Sequence, residues 1–285
     1  MTPLRAKMIR ELQLRRKAPK TIEAYVTAVA QLGRFFGRSP EQISLEEIRD
    51  FLHHLITVRK VAYSTCNQKL AGIRFFYREV LGQQAFELRV PAKRSGRLPE
   101  PLSRGEIARL LDATCNTKHR LLLMTTYGGG LRVSELVRLK PRDIHADRML
   151  IRVDQGKGHK DRYTLLSPRL LEELRVYWRA YRPQTWLFEG ARAGCHLAVA
   201  TAQKVFDRAK ERAGVRHGNG IHCLRHSFAT HLMEAAVPLP VIQRLMGHSC
   251  LSTTAKYLHV TGQQLGRIRS PLELLRRPED KDLQE

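Results

Sequence analysis

Apolar residues in the first third of the chain recur at helical spacing, in blocks separated by polar breaks. From Thr21 they return every three or four positions until "FGRSP" interrupts the pattern, which predicts an amphipathic helix. Ser44 and Glu47 form a capping-box pattern that begins a second helix, and a third begins near Ser64. With a short helix near residues 4–16, these stripes predict a small all-helical bundle whose apolar faces form its core.

The segment at residues 91–102 has a different character. It combines prolines, a glycine and basic residues without an apolar period, and it ends where Ser103 and Glu106 form another capping-box pattern. This composition predicts a linker. The predicted organisation is a helical domain at 1–90, the linker at 91–102, a second domain at 103–271 and a tail at 272–285.

The second domain is predicted to combine helices with a β-hairpin. Two helices lead to Tyr127, a break follows at Gly128–Gly130, and the next helix carries Arg132. "MLIRV" and "RYTLL" are typical of two strands, and they flank the glycine-containing turn "DQGKGHKD". Further helices are predicted at about 168–182, 198–213, 222–236, 240–246 and 252–259. The fold class is therefore mainly α with a small β-hairpin.

Basic residues outnumber acidic residues in both parts of the chain. Lys and Arg number 50 against 27 Asp and Glu, which gives a net charge of +23 and a pI near 10.4. Residues 1–98 carry +11 and residues 99–285 carry +12, so the charge is not confined to a tail. One interpretation is a highly soluble, solvated surface. The favoured one is a pair of cationic lobes that clamp a polyanion, duplex DNA.

The cysteines and the apolar runs indicate the compartment. The five cysteines are widely spaced and contain no CxxC pair, which is typical of reduced thiols. No apolar run approaches the roughly 20 residues of a membrane span, and the N-terminus lacks the apolar core of a secretory signal. We expect a cytoplasmic protein, nucleoid-associated when it is bound to DNA, without a membrane partner.

One set of residues has the order and spacing of a phosphoryl-transfer site with a tyrosine nucleophile. In "GIHCLRHSFATHLMEAAVPLPVIQRLMGHSCLSTTAKYLHV", Arg225 follows His222 by three positions. His248 comes 23 positions later, and Tyr257 a further nine. This segment closely resembles the second motif box of the tyrosine recombinase, or phage integrase, family. "TYGGGLRVSELVRL" resembles the first box, with Arg132 at its arginine, and "DQGKGHKDR" carries a lysine where the family has one on a β-hairpin.

The resemblance covers nearly the whole chain and implies both a fold and a reaction. The site residues that it implies are Arg132, Lys157, His222, Arg225, His248 and Tyr257. The first domain is then the SAM-like helical core-binding domain, which clamps DNA, and the second is the α+β catalytic domain. The implied activity is site-specific cleavage and rejoining of DNA through a covalent 3′-phosphotyrosine and strand exchange. Both an integrase of a mobile genetic element and a Xer-like resolvase fit.

The chemistry of these residue types agrees with the resemblance. A guanidinium can donate two hydrogen bonds to non-bridging phosphate oxygens and stabilise developing charge, which suits Arg132 and Arg225. Tyr257 is the expected nucleophile. A phenol with a pKa of about 10 needs cationic neighbours or an imidazole to assist it. We expect His222 to accept its proton and His248 to donate a hydrogen bond to phosphate.

Other residues are expected to protonate the leaving group, to contact DNA or to hold Arg132 in place. Lys157 lies between two glycines in the predicted turn, and the resemblance assigns it protonation of the departing 5′-oxygen. The alternative is that Lys157 contacts phosphate without taking part in the chemistry, with Lys160 in the same turn as the rival acid. Lys160 is otherwise expected to contact DNA. Further DNA contacts are expected from Lys93, Arg94 and Arg97. Glu135, three residues after Arg132, is expected to buttress that arginine rather than to transfer protons.

No cofactor is expected. The phosphotyrosine keeps the energy of the broken bond, so rejoining needs no ATP, and the chain has no GxxxxGK[ST] loop. Arginines can neutralise phosphate without metal, and the sequence lacks the clustered carboxylates of a two-metal nuclease. "HCLRH" also lacks the glutamate of HExxH. The metal alternative is a zinc site made of His222, Cys223, His226, His248 and Cys250.

Two alternatives to a recombinase fit parts of this sequence. A non-catalytic, sequence-specific DNA-binding protein fits the charge but does not require this tyrosine or lysine. A type IB topoisomerase has a similar site but acts alone, whereas recombination in the family needs a tetramer joined by an exchanged C-terminal segment. "TGQQLGRIRSPLELLRR" after Tyr257 is long enough to reach a neighbour. We expect a homotetramer on double-stranded DNA recombination sites and a monomer free in solution.

Overall fold

The structure, a computed structural model, describes residues 2–83, 88, 100–154, 161–192 and 194–247. The chain divides into two compact units, Met1–Gly96 and Arg97–Glu285. Among the described residues, no helix is both long enough and apolar enough to cross a membrane.

The first unit is a helical bundle. Its helices are α1 (Pro3–Leu14), α2 (Pro19–Phe36), α3 (Leu45–Thr57) and α4 (Tyr63–Phe75), with a 3-10 turn at Pro40–Gln42 and a π-helical turn at Phe76–Val80. The capping box that begins α3 is confirmed, since Ser44 and Glu47 each accept a hydrogen bond from the other's backbone N–H. Helices α2 and α4 pack closely, and a Cβ at Gly72 would lie 2.8 Å from the Tyr25 Cα.

The second unit combines helices with a small antiparallel sheet. Its helices are α5 (Arg104–Asp112), α6 (Thr117–Gly129), α7 (Val133–Leu136), α8 (Pro168–Tyr181), α9 (Val199–Arg212), α10 (His222–Glu234) and α11 (Leu239–Met246), with a 3-10 turn at Pro141–Asp143. The predicted capping box of Ser103 and Glu106 is confirmed at the start of α5. The helix predicted at 252–259 lies outside the described residues.

The sheet has the order β1 (Ile144–His145), β2 (Leu150–Val153) and β3 (Arg162–Leu165). The two predicted strands are therefore confirmed as β2 and β3, in a register that pairs Val153 with Arg162. The sequence pattern did not predict β1, which is only two residues long. The predicted turn at 155–160 lies outside the described residues.

The predicted break at Gly128–Gly130 is wrong in its extent. Helix α6 continues through Gly129 and is capped by Gly130, which adopts a left-handed conformation with φ of 59°. A Cβ there would also lie 2.3 Å from the Phe228 ring, so glycine satisfies both the turn and the packing. Arg132 is consequently the residue that precedes α7, and not a residue within a helix as predicted.

Two apolar clusters position the elements of the second unit. The larger one packs α5, α6, α8, α9 and α10 around the sheet. A smaller cluster joins α10 to α11 through Phe228, Ala229, Ile242 and Met246. The end of α11 is thereby brought next to the first turn of α10 and the Gly130 turn.

Candidate active site

Arg132 lies where the chain emerges from the Gly130 turn. Its backbone N–H and its Nη1 each donate to the Glu135 carboxylate, at 2.8 Å to Oε2 and 2.8 Å to Oε1. Its Nη2 donates to the Gly247 carbonyl at 3.2 Å. The side chain is 21% exposed. Arg132 is therefore held at both its backbone and its guanidinium group, while part of the side chain stays accessible to solvent.

Glu135 is a buried carboxylate whose side chain is only 6% exposed. Burial on its own raises the pKa of this carboxyl, but hydrogen bonds and charge from Arg162, with further hydrogen bonds from Arg132, outweigh burial and lower the pKa to about 2. Glu135 is thus an ionised anchor at neutral pH. A proton-transfer role is unsuited to so low a pKa.

Arg162 is a member of the cluster that the sequence reasoning did not identify. Its Nη1 and Nη2 donate to Oε1 and Oε2 of Glu135, each at 2.8 Å, in a two-pronged arrangement. Its Nε donates to the Leu245 carbonyl at 3.0 Å. No local sequence signal identifies Arg162, because its partner Glu135 lies 27 positions away in the chain.

Arg225 lies in the first turn of α10 and is almost fully buried, with 5% of its side chain exposed. Its guanidinium donates to the carbonyls of Gly130 and Met246. Its Nη1 also lies 3.9 Å from Oε2 of Glu135. Arg225 therefore contacts both the turn that leads to Arg132 and the end of α11.

The C-terminal end of α11 receives three arginines. The carbonyls of Leu245, Met246 and Gly247 accept hydrogen bonds from Arg162, Arg225 and Arg132, respectively. The last carbonyls of a helix lack partners within the helix and form the negative end of its dipole, so guanidinium groups stabilise them. This arrangement fixes the backbone immediately before His248 in the sequence.

His222 is the first residue of α10 and is exposed on one side. Partial burial lowers the pKa of its imidazole, and the nearby charges of Arg225 and Arg132 lower it further, with Glu135 acting in the opposite direction. The ring is therefore neutral at pH 7. A neutral imidazole beside an arginine cluster can accept a proton from a nucleophile.

The structure thus brings together Arg132, Glu135, Arg225 and His222, with Arg162 as an additional member. The other predicted site residues lie outside the described residues and remain predictions; they are Lys93, Arg94, Arg97, Lys157, Lys160, His248 and Tyr257. Within the described ranges, no group of three or more His, Cys, Asp or Glu side chains is placed to hold a metal ion. Burial also raises the pKa of the Cys223 thiol to about 12, which opposes the thiolate that zinc requires.

Tyr127, Tyr177 and Tyr181 have packing roles in the described structure. The Tyr177 hydroxyl is buried and donates to the Leu187 carbonyl at 3.0 Å, and its ring stacks on Tyr181. The Tyr127 hydroxyl is hydrogen-bonded to Nδ1 of His231 at 2.8 Å. Burial raises the pKa of Tyr127, and raises that of Tyr177 to about 12, which disfavours phenolate.

Comparison with known proteins identifies relatives over nearly the whole chain. Residues 100–264 match the family described as phage integrase, and residues 4–86 match the phage integrase N-terminal SAM-like domain. An integrase/recombinase of Sinorhizobium fredii is 40% identical over 281 residues, which cover 98% of this chain and 91% of the relative. Tyrosine recombinase XerA of Thermococcus kodakarensis is 37% identical over 272 residues, which cover 93% of each chain.

Solved structures confirm the expected fold class. A lambda integrase tetramer bound to a Holliday junction superposes with a TM-score of 0.74 at 20% identity, covering 94% of this chain and 78% of that one. XerH recombinase in a post-cleavage complex with its difH substrate gives a TM-score of 0.70 at 24% identity, covering 88% and 79%. At these identities the likeness concerns the fold alone.

Proposed function

Because the chain belongs to the phage integrase family and is a tyrosine recombinase, we propose that it acts on double-stranded DNA recombination sites through a covalent 3′-phosphotyrosine formed by Tyr257. The observation that carries the proposal is the convergence of Arg132 and Arg225 on Glu135, beside His222. This arrangement is suited to an anionic phosphodiester.

The charge of the cluster supports phosphate binding. Three guanidinium groups surround one carboxylate, so the cluster retains two positive charges. Arg132 is the most exposed of the three arginines, at 21% against 9% for Arg162 and 5% for Arg225. A guanidinium has five N–H donors, and two of those of Arg132 go to described side-chain or carbonyl partners. We assign Arg132 to the non-bridging oxygens because of this exposure, and Arg225 because of its place in the second motif box. Both stabilise the charge of the transition state there.

The proposed reaction is a balanced transesterification. The phenolic oxygen of Tyr257 forms a bond to phosphorus while the bond from phosphorus to the 5′-oxygen breaks. His222 accepts the phenolic proton, Lys157 donates a proton to the departing 5′-oxygen, and His248 donates a hydrogen bond to phosphate. A 5′-hydroxyl from the partner strand then reverses these steps. The number of phosphodiester bonds is conserved, so the proposed reaction needs no ATP. Arg132 and Arg225 supply the charge stabilisation that a metal ion gives in metal-dependent enzymes.

DNA binding is assigned to both units. The net charge of +23 is shared almost equally between residues 1–98 and 99–285, which suits a clamp. We propose phosphate contacts from Lys93, Arg94, Arg97 and Lys160. We also propose a monomer in solution, in the cytoplasm, that assembles as a homotetramer on nucleoid DNA. The tetrameric state of lambda integrase on its junction supports this assembly.

A plasmid assay separates a recombinase from a type IB topoisomerase or a simple binding protein. A site would first be selected from random duplexes of about 60 base pairs by binding to the full-length protein, and two copies would be placed in a supercoiled plasmid. We expect wild type to yield recombinant circles and Arg225→Lys to yield none. The control Arg152→Lys alters an exposed ion pair with Asp161 and should recombine normally. Relaxed plasmid without recombinants would favour the topoisomerase.

A further inference from the structure

We infer that Arg162 is a positioning residue of the recombination site, which orients Arg132 through Glu135 and fixes the end of α11 through the Leu245 carbonyl. The inference rests on the proposed function. It concerns a residue outside the six predicted site positions, and it assigns Arg162 no contact with DNA.

The bonding of Arg162 supports an indirect role. Both prongs of its guanidinium are committed to the two oxygens of Glu135, and Nε is committed to Leu245. Arg162 therefore acts through the groups that it orients. A lysine would keep the charge but cannot bridge two carboxylate oxygens and a carbonyl in one plane.

Two residues on one face of strand β3 bind the chain before and after Arg132. Two positions after Arg162, the buried Thr164 donates from its hydroxyl to the Gly129 carbonyl at 2.8 Å. Arg162 itself binds Glu135. Residues i and i+2 of a strand point to the same side, so β3 fixes the chain both before and after Arg132. This arrangement defines the position of Arg132 relative to the rigid sheet.

The C-terminal end of α11 packs closely against the Arg162 side chain. Gly247 has a φ of 61°, and a Cβ there would lie 2.6 Å from Cδ of Arg162. The absence of a side chain at Gly247 therefore does more than permit the left-handed turn. It leaves the space that the Arg162 side chain occupies on its way to Glu135 and Leu245.

The first test compares Arg162→Lys with Arg152→Lys, the same exchange on the neighbouring strand at a 41% exposed side chain. The probe is a nicked suicide duplex that carries the selected site, incubated with full-length protein. We expect Arg162→Lys to form the covalent adduct at least tenfold more slowly at saturating protein, with DNA affinity within twofold of wild type. Arg152→Lys should match wild type in both respects.

The pH profile separates positioning from a purely structural role. In Arg162→Lys, Glu135 loses its two-pronged partner and its pKa rises. The cleavage rate should therefore show an additional loss at a pH below the acid limb that His222 sets, and a change that only lowers stability would leave the profile with the His222 limb alone. A wild-type rate and profile in Arg162→Lys would overturn the inference, and so would a defect confined to DNA affinity.

A second pair of variants tests the inference if Arg162→Lys does not fold. Gly247→Ala places a methyl group against Arg162, whereas Gly214→Ala introduces the same left-handed strain, at φ of 64°, with no atom within 4 Å. We expect only Gly247→Ala to slow adduct formation tenfold or more. Equal rates in the two variants would contradict the role of Arg162. Absence of an adduct in wild type itself would instead contradict the proposed function.

Discussion

The guanidinium of Arg225, in the first turn of α10, donates to the carbonyl of Met246, the last residue of α11. The same side chain reaches the Gly130 carbonyl at the turn before Arg132. A residue assigned to phosphate binding therefore also organises two backbone segments of its own site. Its replacement should impair the position of neighbouring groups as well as remove a charge.

Glu135→Gln should change the dependence of stability on pH. The pKa of Glu135 is about 2 in the folded chain against an ordinary 4.5, so its ionisation stabilises the fold above pH 4.5. That contribution is lost as the pH falls from 4.5 toward 2. A shift of this size corresponds to on the order of 3 kcal/mol. The difference between wild type and Glu135→Gln should thus be largest near neutrality and shrink in acid.

Urea unfolding followed by tryptophan fluorescence measures this effect, because Trp178 and Trp186 both lie in the second unit. Glu211→Gln, at an exposed position on α9, is the control and should follow the wild-type curve. A constant difference between wild type and Glu135→Gln from pH 7 to pH 3 would contradict the lowered pKa.

The pKa of His222 should set the acid limb of the pH–rate profile, the range in which adduct formation by the free protein slows as the pH falls. Its pKa is lowered below 6.5, so the imidazole is neutral and able to accept a proton at pH 7, and it becomes protonated and inactive only in more acidic solution. The second-order rate of adduct formation should be flat near pH 7 and fall below an apparent pKa under 6.5. His222→Gln should be slower by about 10²–10⁴ and lack this limb.

The control for this profile is His53→Gln, at an exposed position of the first unit. It should reproduce the wild-type rate at every pH. Persistence of the same acid limb in His222→Gln would assign the titration to another group and remove the proposed base role.

Lys157→Ala tests the general acid. If Lys157 protonates the departing 5′-oxygen, its loss should slow cleavage by about 10²–10⁴. Replacing that bridging oxygen by sulfur should restore cleavage to nearly the wild-type rate, because a thiolate leaves without a proton. Arg132→Ala and Arg225→Ala should remain slow on the sulfur substrate. Equal defects of Lys157→Ala on both substrates would transfer the role to Lys160 or His248.

The hairpin shows why the sequence did not reveal Arg162. In β3, the apolar Tyr163 and Leu165 are exposed at 44% and 38%, whereas Thr164 is completely buried. The alternation of apolar and polar residues predicts the reverse, with Tyr163 and Leu165 buried and Arg162 and Thr164 exposed. The inward face is polar here because Arg162 and Thr164 find specific acceptors in Glu135 and the Gly129 carbonyl. Such partners are distant in sequence, so local pattern does not contain them.

The helices were more predictable because their signals are local. The capping boxes at Ser44 and Ser103 depend on residues three positions apart, and both begin helices as predicted. The local pattern did not predict that α6 runs through Gly128 and Gly129, nor that the Phe228 ring leaves no space for a Cβ at Gly130. The three arginine contacts with the end of α11 likewise arise only once α10 and α11 pack together.

The most direct test of the proposed mechanism is covalent adduct formation by Tyr257→Phe. This change removes one oxygen, so DNA affinity should remain while the adduct on the nicked suicide duplex disappears from a denaturing gel. Tyr177→Phe is the matched control. It removes a buried hydroxyl that donates to the Leu187 carbonyl, costs about 1 kcal/mol of stability, and should still form the adduct. An adduct at wild-type level in Tyr257→Phe would show that another residue is the nucleophile.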